Sequence, residues 1–251
     1  MERVIKIFPI QKILAESLAL DLVNMINENK DSNFPFTIAL SGGNTPGLLF
    51  SVMANQHRDA VDWNKVHFFW VDERCVPPDN KESNFGMTHK VFLGKIKIPK
   101  DNIHRIRGED SPEKEAERYS EELKQFTTKR NGIPFFDIIL LGLGEDGHTA
   151  SVFPGNEKLF QSDSICTTAL HPATGNTRLT ITGKVINNTR QIIFIVTGRN
   201  KAEIVRKIID GKGAEKHFPA SYVIPVDGSI IWYLDAPAGL LLKPGPEVMK
   251  M

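Results

Sequence analysis

A histidine and an acid stand two positions apart in the segment LLGLGEDGHTASVFPG, residues 140–155. The apolar run before them is typical of a buried strand. Imidazole titrates near neutral pH, so His148 can take a proton from water under physiological conditions. Asp146 can hold that ring in one tautomer if the chain is extended there, and Gly147 lets the chain bend between the two. The pattern indicates a general base with an orienting acid; a structural or solvated loop histidine is the alternative.

Gly42 and Gly43 lie in a second polar sequence, SGGNTP, which follows the apolar run FTIAL. Glycines let backbone N–H groups converge on an anion, and the N-terminus of a following helix adds positive potential. We expect that helix to have Thr45 as its N-cap and Pro46 as its first residue. This segment contains neither GxGxxG nor GxxxxGKS/T, so it indicates neither a dinucleotide nor a P-loop triphosphate. A tight turn without a ligand is the alternative.

Three cationic side chains are candidates for binding an anionic substrate. Lys201 falls in the first turn of a predicted helix, where a cation costs about 0.3–1 kcal/mol unless an anion is bound; a solvated lysine is the alternative. Arg74 follows Asp72 and Glu73, and its guanidinium suits bidentate contact with phosphate or carboxylate. A structural ion pair with Glu73 or another acid is the alternative. Arg178 is either an exposed edge residue or a second anion contact.

Four short runs rich in Ile, Val and Phe predict strands buried on both faces, as in a parallel sheet covered by helices. They are FTIAL (36–40), VHFFWV (66–71), FFDIILLGL (135–143) and QIIFIV (191–196). Further strands are predicted at 3–8, 165–170, 177–182 and 229–234. Helices are predicted over 12–29, from Pro46 after the N-cap Thr45, from Pro112 after the N-cap Ser111, and over 201–210. Asn200 and Glu203 resemble a capping box at the start of the last helix, and Gly211 ends it.

This alternation predicts an α/β fold, with a single Rossmann-like domain over 1–251 and a mostly parallel sheet covered by helices on both faces. Ligands of open α/β sheets bind beyond the carboxyl ends of the strands. Each of the four apolar runs is followed at that end by one of the polar sequences SGGNTP, DER, GEDGH and TGRNK. We therefore expect these sequences to meet at one edge, and this shared placement favours the role of general base for His148.

Composition narrows the classes of function. Of the 251 residues, 41% are hydrophobic and 24% are charged, and the net charge is +1, so neither nucleic acid nor an anionic membrane surface is indicated as a partner. Cys75 and Cys166 form no CxxC pair, which suits a reducing compartment. The N-terminus does not resemble a signal peptide, and the longest apolar run is far shorter than the ~20 residues of a membrane span. We expect a cytoplasmic protein.

Motifs of several other chemistries are missing from the sequence. It contains no GxSxG and no HExxH, Cys75 has no evident activating partner, and the histidines lack metal-ligand spacing. We therefore expect a reaction that uses one base, one oxyanion stabiliser and an anion-binding cation, with no metal and no organic cofactor.

Several of these segments resemble the 6-phosphogluconolactonase family: SGGNTP, WVDERCVPPDNKESNFGM, LLGLGEDGHTASVFPG, TRLTIT and TGRNKA. The resemblance covers nearly the whole chain, and DGHTASVFPG is its most specific block. It implies a Rossmann-like fold, no cofactor, and hydrolysis of 6-phospho-D-glucono-1,5-lactone to 6-phosphogluconate, the second step of the oxidative pentose phosphate pathway. The implied partner is a small sugar-phosphate lactone, and we expect a monomer.

The resemblance also implies roles for particular residues. His148 is the implied catalytic base with Asp146 beside it, and Arg74 and Lys201 are the principal cationic contacts. The full set of implied substrate contacts is Ser41, Gly42, Gly43, Asn44, Thr45, Asp72, Arg74, Asn84, Arg178 and Lys201. Which cation holds the phosphate and which faces C1 stays open.

Two alternatives remain. Glucosamine-6-phosphate deaminase/isomerase shares the SGG, DE and GxGxDGH elements, but in that family DGH precedes a segment like IAFNEP, whereas this chain reads TASVFPG and has Glu157 only later. A non-catalytic sugar-phosphate sensor would carry a DNA-binding segment and would not need a base. The first ~35 residues predict one long helix rather than a helix-turn-helix, and His148 is present.

Overall fold

Two β-sheets organise the chain in this computed structural model, which describes residues 2–211 and 218–251. The strands are β1 (Glu2–Phe8), β2 (Phe36–Leu40), β3 (Val66–Trp70), β4 (Asp72–Arg74), β5 (Ile103–His104), β6 (Thr128–Arg130), β7 (Ile133–Leu141), β8 (Cys166–Leu170), β9 (Thr177–Ile181), β10 (Thr189–Val196), β11 (Ser229–Asp235) and β12 (Val248–Lys250). The α-helices are α1 (Gln11–Glu28), α2 (Asn44–Gln56), α3 (Asn84–Val91), α4 (Pro112–Phe126), α5 (Gly183–Ile186) and α6 (Ala202–Asp210).

The larger sheet has the strand order β12-β1-β11-β10-β7-β2-β3-β5, with β6 paired to β7. Every pair along this path is parallel, and only the β6–β7 hairpin is antiparallel within the described part of the sheet. All five positions of β2 are buried, so both faces of that strand are covered. The predicted mostly parallel α/β fold is confirmed.

A second, three-stranded antiparallel sheet with the order β4-β9-β8 was not predicted. The runs 165–170 and 177–182 are strands, as expected, but they belong to this smaller sheet. Strand β4 directly continues the chain from β3, so the small sheet stands beside the carboxyl end of the larger one. Tyr119 of α4 secures this corner, because its hydroxyl accepts from Trp70 N at 2.8 Å and donates to Trp70 O at 2.9 Å.

The starts of two helices differ from prediction. Helix α2 begins at Asn44, and its N-cap is Gly43 at φ 105°, so Thr45 already lies inside the helix. Helix α6 begins at Ala202 after a 3-10 turn over Arg199–Lys201, which makes Lys201 its N-cap. Asn200 is not a capping residue, because its side-chain amide donates to Glu145 instead.

The other predicted helix boundaries are close to those observed. Ser111 precedes α4, Gly211 ends α6, and the 12–29 pattern corresponds to α1. Among the helices of the described residues, none is both long and apolar enough to cross a membrane.

Candidate active site

A pocket of about 210 Å³ opens beyond the carboxyl ends of β2 and β7. Its lining includes seven of the predicted site residues: Ser41, Gly42, Asp72, Arg74, Asn84, His148 and Lys201. The four polar sequences that follow the apolar runs therefore meet at one edge, as expected. Gly43, Asn44, Thr45, Asp146 and Arg178 were also predicted, but they do not line the pocket. Gly142, Leu143, Gly144 and Ala150 line it and were not singled out from the sequence.

His148 and Asp146 form a hydrogen-bonded pair at this pocket. His148 Nδ1 lies 2.6 Å from Asp146 Oδ1, and His148 N–H donates to the same oxygen at 3.2 Å. Burial raises the pKa of Asp146, but the hydrogen bond and the charge of His148 outweigh it and hold that pKa below its ordinary value. An ionised carboxylate only accepts, so Nδ1 carries the proton and Nε2 is left to act as a base.

Two glycines allow this pair to form. A Cβ at Gly144 would lie 2.1 Å from His148 Nδ1 and 2.4 Å from Asp146 Oδ1, so no other residue fits there without moving the pair. Gly147 has φ 84°, a conformation that side chains rarely adopt. Its carbonyl accepts from Ala220 N–H at 3.0 Å, which holds the turn in place.

Arg74 and Arg178 stand opposite each other in the β4–β9 pair. Arg74 Nη1 donates to Glu82 O at 2.5 Å. The Nε atoms of both arginines are buried and have no hydrogen-bond partner among the described residues. Burial, together with the charge of Arg74, lowers the pKa of Arg178. Like charges placed side by side favour an anion, so this corner is suited to phosphate or carboxylate.

The alternative for Arg74, an ion pair with Glu73 or another acid, does not form among the residues that the structure describes. Glu73 is 1% exposed, and its carboxylate accepts from Arg74 N, Ser83 Oγ, Asn84 N and Phe85 N at 2.7–3.0 Å. Burial raises the pKa of Glu73 and these backbone hydrogen bonds oppose the rise. The carboxylate of Glu73 thus caps the N-terminus of α3, a role that was not predicted from the sequence DER.

Asp72 and Asn84 form a buried polar floor for the pocket. Ser151 Oγ donates to Asp72 Oδ2 at 2.6 Å, and Asn84 Nδ2 donates to Asp72 O at 2.9 Å. A Cβ at Gly42 would lie 1.8 Å from Asn84 Oδ1, so this glycine is needed for close approach. Ser41 turns its hydroxyl away to donate to Leu140 O at 2.8 Å.

The start of α2 lies beside the pocket rather than in its wall. Thr45 Oγ1 is 2.8 Å from Thr197 Oγ1, which ties this helix to the residues after β10. Gly43 and Asn44 form the first turn, whose N–H groups have no partner within the helix. Gly43, Asn44 and Thr45 therefore form the N-terminal end of α2, which places positive potential beside the pocket.

Lys201 lines the pocket from the turn before α6. Burial lowers the pKa of its ammonium group, and the charges of Glu145 and Asp146 oppose that effect. Within the described ranges, no carboxylate forms an ion pair with Lys201 or with Arg74. Across residues 2–211 and 218–251, no group of three or more His, Cys, Asp or Glu side chains is arranged to hold a metal ion.

Comparison with known proteins places the chain among relatives with this fold. The family model described as glucosamine-6-phosphate isomerases/6-phosphogluconolactonase matches residues 9–232. A 6-phosphogluconolactonase of Treponema pallidum (strain Nichols) is 42% identical over 194 residues, which are 77% of this chain and 80% of the relative. One from Aggregatibacter actinomycetemcomitans is 38% identical over 236 residues, 94% of this chain and 98% of the relative.

A solved structure supports the same grouping. The 6-phosphogluconolactonase from Trypanosoma brucei matches with a TM-score of 0.86 at 28% identity, over 96% of this chain and 99% of that one. Fold, family model and sequence identity over most of the length agree. The chain therefore belongs to the glucosamine-6-phosphate isomerase/6-phosphogluconolactonase family.

Proposed function

We propose that the chain hydrolyses 6-phospho-D-glucono-1,5-lactone to 6-phospho-D-gluconate, the second step of the oxidative pentose phosphate pathway, without a metal ion. One observation carries the proposal: His148, with Nδ1 bonded to Asp146, shares a pocket with Arg74 and Lys201. A δ-lactone is an activated ester, so a base and a cationic electrophile suffice to open it. The relatives named 6-phosphogluconolactonase support the same activity.

The first step is the attack of water on C1. His148 Nε2 takes a proton from the water as its oxygen bonds to C1, and the carbonyl oxygen becomes an oxyanion. Asp146 stabilises the imidazolium and keeps Nδ1 protonated. A cation of the pocket or a free N–H group meets the oxyanion; loss of one such donor typically costs about 2.7–4 kcal/mol in the barrier.

The second step breaks the bond between C1 and the ring oxygen. The electron pair of that bond goes to the ring oxygen, which takes the proton from the imidazolium of His148 and becomes the 5-hydroxyl group. The new carboxylic acid ionises, and the base is regenerated. Contact with the distant phosphate uses binding energy to hold C1 in position for attack.

The deaminase alternative requires a further carboxylate near the reacting carbons. Glu157 is the acid that follows the DGH segment, and its Oε1 accepts from Gly155 N at 2.9 Å within its own turn. It does not line the pocket. This placement favours the lactonase over the deaminase.

The test measures the hydrolysis of freshly prepared lactone. The product is detected with 6-phosphogluconate dehydrogenase as the coupling enzyme, and the rate of spontaneous hydrolysis is subtracted. We expect wild-type turnover, a severe loss of kcat in His148→Ala, and no such loss in the control His57→Ala, whose histidine ends α2 away from the pocket. Near-normal turnover by His148→Ala would contradict the role of His148 as general base. Robust ammonia release from glucosamine 6-phosphate would favour the deaminase over the lactonase.

A further inference from the structure

Two loops carry the opposing chemical groups of the pocket. Residues 142–149, here the base loop, hold His148, and residues 197–201, the lysine loop, hold Lys201. Their parent strands β7 and β10 are paired as far as Leu141 and Phe194. Beyond these residues no backbone hydrogen bond joins the two loops among the residues described. Any hydrogen bond between the two loops therefore involves a side chain.

One side-chain hydrogen bond spans the gap. Asn200 Nδ2 donates to Glu145 Oε1 at 2.6 Å, between residues 55 positions apart. In the part of the chain that the structure describes, it is the hydrogen bond that links the base loop to the lysine loop. Neither side chain lines the pocket. Each one is the immediate neighbour of a site residue, since Glu145 precedes Asp146 and Asn200 precedes Lys201.

The two ends of this link are held in place by other contacts. Gly198 has φ 100°, and a Cβ there would lie 2.7 Å from Asn200 Oδ1, so the amide of Asn200 packs over this glycine. Gly198 N–H donates to both oxygens of Asp235, at 3.0 and 3.1 Å. On the base loop, Gly147 O accepts from Ala220 N–H at 3.0 Å. A link between two anchored loops can define a distance.

The hydrogen bond between Asn200 and Glu145 also holds a negative charge near Lys201. Burial lowers the pKa of Lys201, and Glu145 is the first of the two acids whose charge opposes this effect. Holding Glu145 against Asn200 keeps that carboxylate next to the lysine loop. A carboxylate that swung into solvent would interact with Lys201 more weakly.

We propose that Glu145 and Asn200 are positioning residues, whose hydrogen bond sets the spacing between the His148 base and the Lys201 cation across the pocket. The inference rests on the proposed lactonase function for its kinetic consequences. It does not rest on that function for its structural ones, because the link exists in the free protein.

An exchange of donor and acceptor tests the link. Asn200→Asp places a second carboxylate against Glu145, so the hydrogen bond is lost and repulsion replaces it. Adding Glu145→Gln to this variant restores a bond of reversed direction, from Gln to Asp, and also restores the wild-type net charge. The control Asn55→Asp adds the same charge on the exposed surface of α2, where the side chain donates to Ser51 Oγ at 3.3 Å.

We expect Asn200→Asp to lower kcat/KM about tenfold, mostly through kcat, because the base is displaced from a substrate that still binds. The double variant should recover to within about twofold of wild type, and Asn55→Asp should match wild type. Thermal melting checks that each variant is folded. Wild-type kcat/KM in Asn200→Asp, or a double variant no better than it, would overturn the proposal.

Hydrogen exchange measured by mass spectrometry separates the link from the reaction. Asn200→Asp should speed amide exchange in peptides covering both loops, and the double variant should reverse this. Unchanged exchange in the base loop would overturn the link even in an active enzyme. A wild-type protein without lactone turnover would refute the proposed function, while the exchange data would still decide whether the link exists.

Discussion

A methyl group at Gly144 would separate His148 from Asp146 without removing either residue. The added Cβ would lie 2.1 Å from His148 Nδ1 and 2.4 Å from Asp146 Oδ1, whereas ordinary contacts begin near 3.4 Å. The imidazole or the carboxylate must therefore move by about 1 Å or more. Displacement by this distance can cost about 100-fold in rate, and loss of an orienting acid up to about 10⁴-fold. We expect Gly144→Ala to lower kcat by about 10²- to 10⁴-fold.

The fold should tolerate this change. The side chains of His148 and Asp146 are 33% and 45% exposed, so they can relieve the clash by turning toward solvent. The backbone at Gly144 has no positive φ that would strain an alanine. We expect the free energy of unfolding to fall by only about 1 kcal/mol. Catalysis and stability should thus separate in this variant.

The assay combines lactone turnover with proton NMR of the His148 Nδ1–H, which resonates far downfield when it is bonded to a carboxylate. Gly245→Ala is the matched control, since a Cβ there meets nothing within 4 Å and Gly245 does not line the pocket. It should keep the downfield resonance, and Gly144→Ala should lose it. A Gly144→Ala enzyme with wild-type kcat, or with the resonance intact, would show that the His148–Asp146 pair does not depend on this glycine.

Three other predictions concern charged groups. Burial, followed by the charge of His104, lowers the pKa of His67 from 6.5 to about 4, so between these pH values the unfolded chain binds more protons than the folded one. The free energy of unfolding should therefore fall by about 1–3 kcal/mol as the pH drops from 6.5 toward 4. Denaturation of His67→Gln should show a weaker dependence of this free energy on pH. Lys201→Ala should raise KM more than it lowers kcat, and an unchanged KM would contradict this. Because burial lowers the pKa of Lys201, the lysine loses its charge at a pH below its ordinary pKa of 10.5. The affinity of the wild-type chain for 6-phosphogluconate, measured by calorimetry, should therefore already decline at a pH below 10.5. Glu73→Gln should reduce the free energy of unfolding by about 1–3 kcal/mol, since the amide nitrogen of the glutamine would face the N–H donors of α3. The control Glu82→Gln changes an exposed side chain and should have little effect. Equal denaturation midpoints for the two variants would contradict the role of Glu73 as a cap of α3.

The sequence was most informative where local composition decides the structure. Runs of Ile, Val and Phe located β2 and β10 to within two residues, because strands buried on both faces need continuous apolar character. The meeting of SGGNTP, DER, GEDGH and TGRNK followed from the rule that parallel strands end at one edge. Most of the pocket lining was predictable for that reason.

Features that depend on long-range contacts were not predictable. The small sheet pairs Arg74 with Arg178, a register between residues more than 100 positions apart that no local pattern encodes. Asn200 looks like a helix cap in sequence but donates to Glu145 across the pocket edge. Glu73 looks like part of a charged loop, yet it is buried beneath α3. In each case a tertiary partner determined the role of the side chain.

A crystal structure of the wild-type chain with 6-phosphogluconate bound tests most directly whether one pocket holds both the base and the cations. We expect the product carboxylate to lie within hydrogen-bond reach of His148 Nε2, about 2.6–3.2 Å, and the phosphate to contact a cation at the opposite end of the same pocket. A product bound outside this pocket, or one whose carboxylate lies remote from an imidazole still paired with Asp146, would contradict the proposed role of His148.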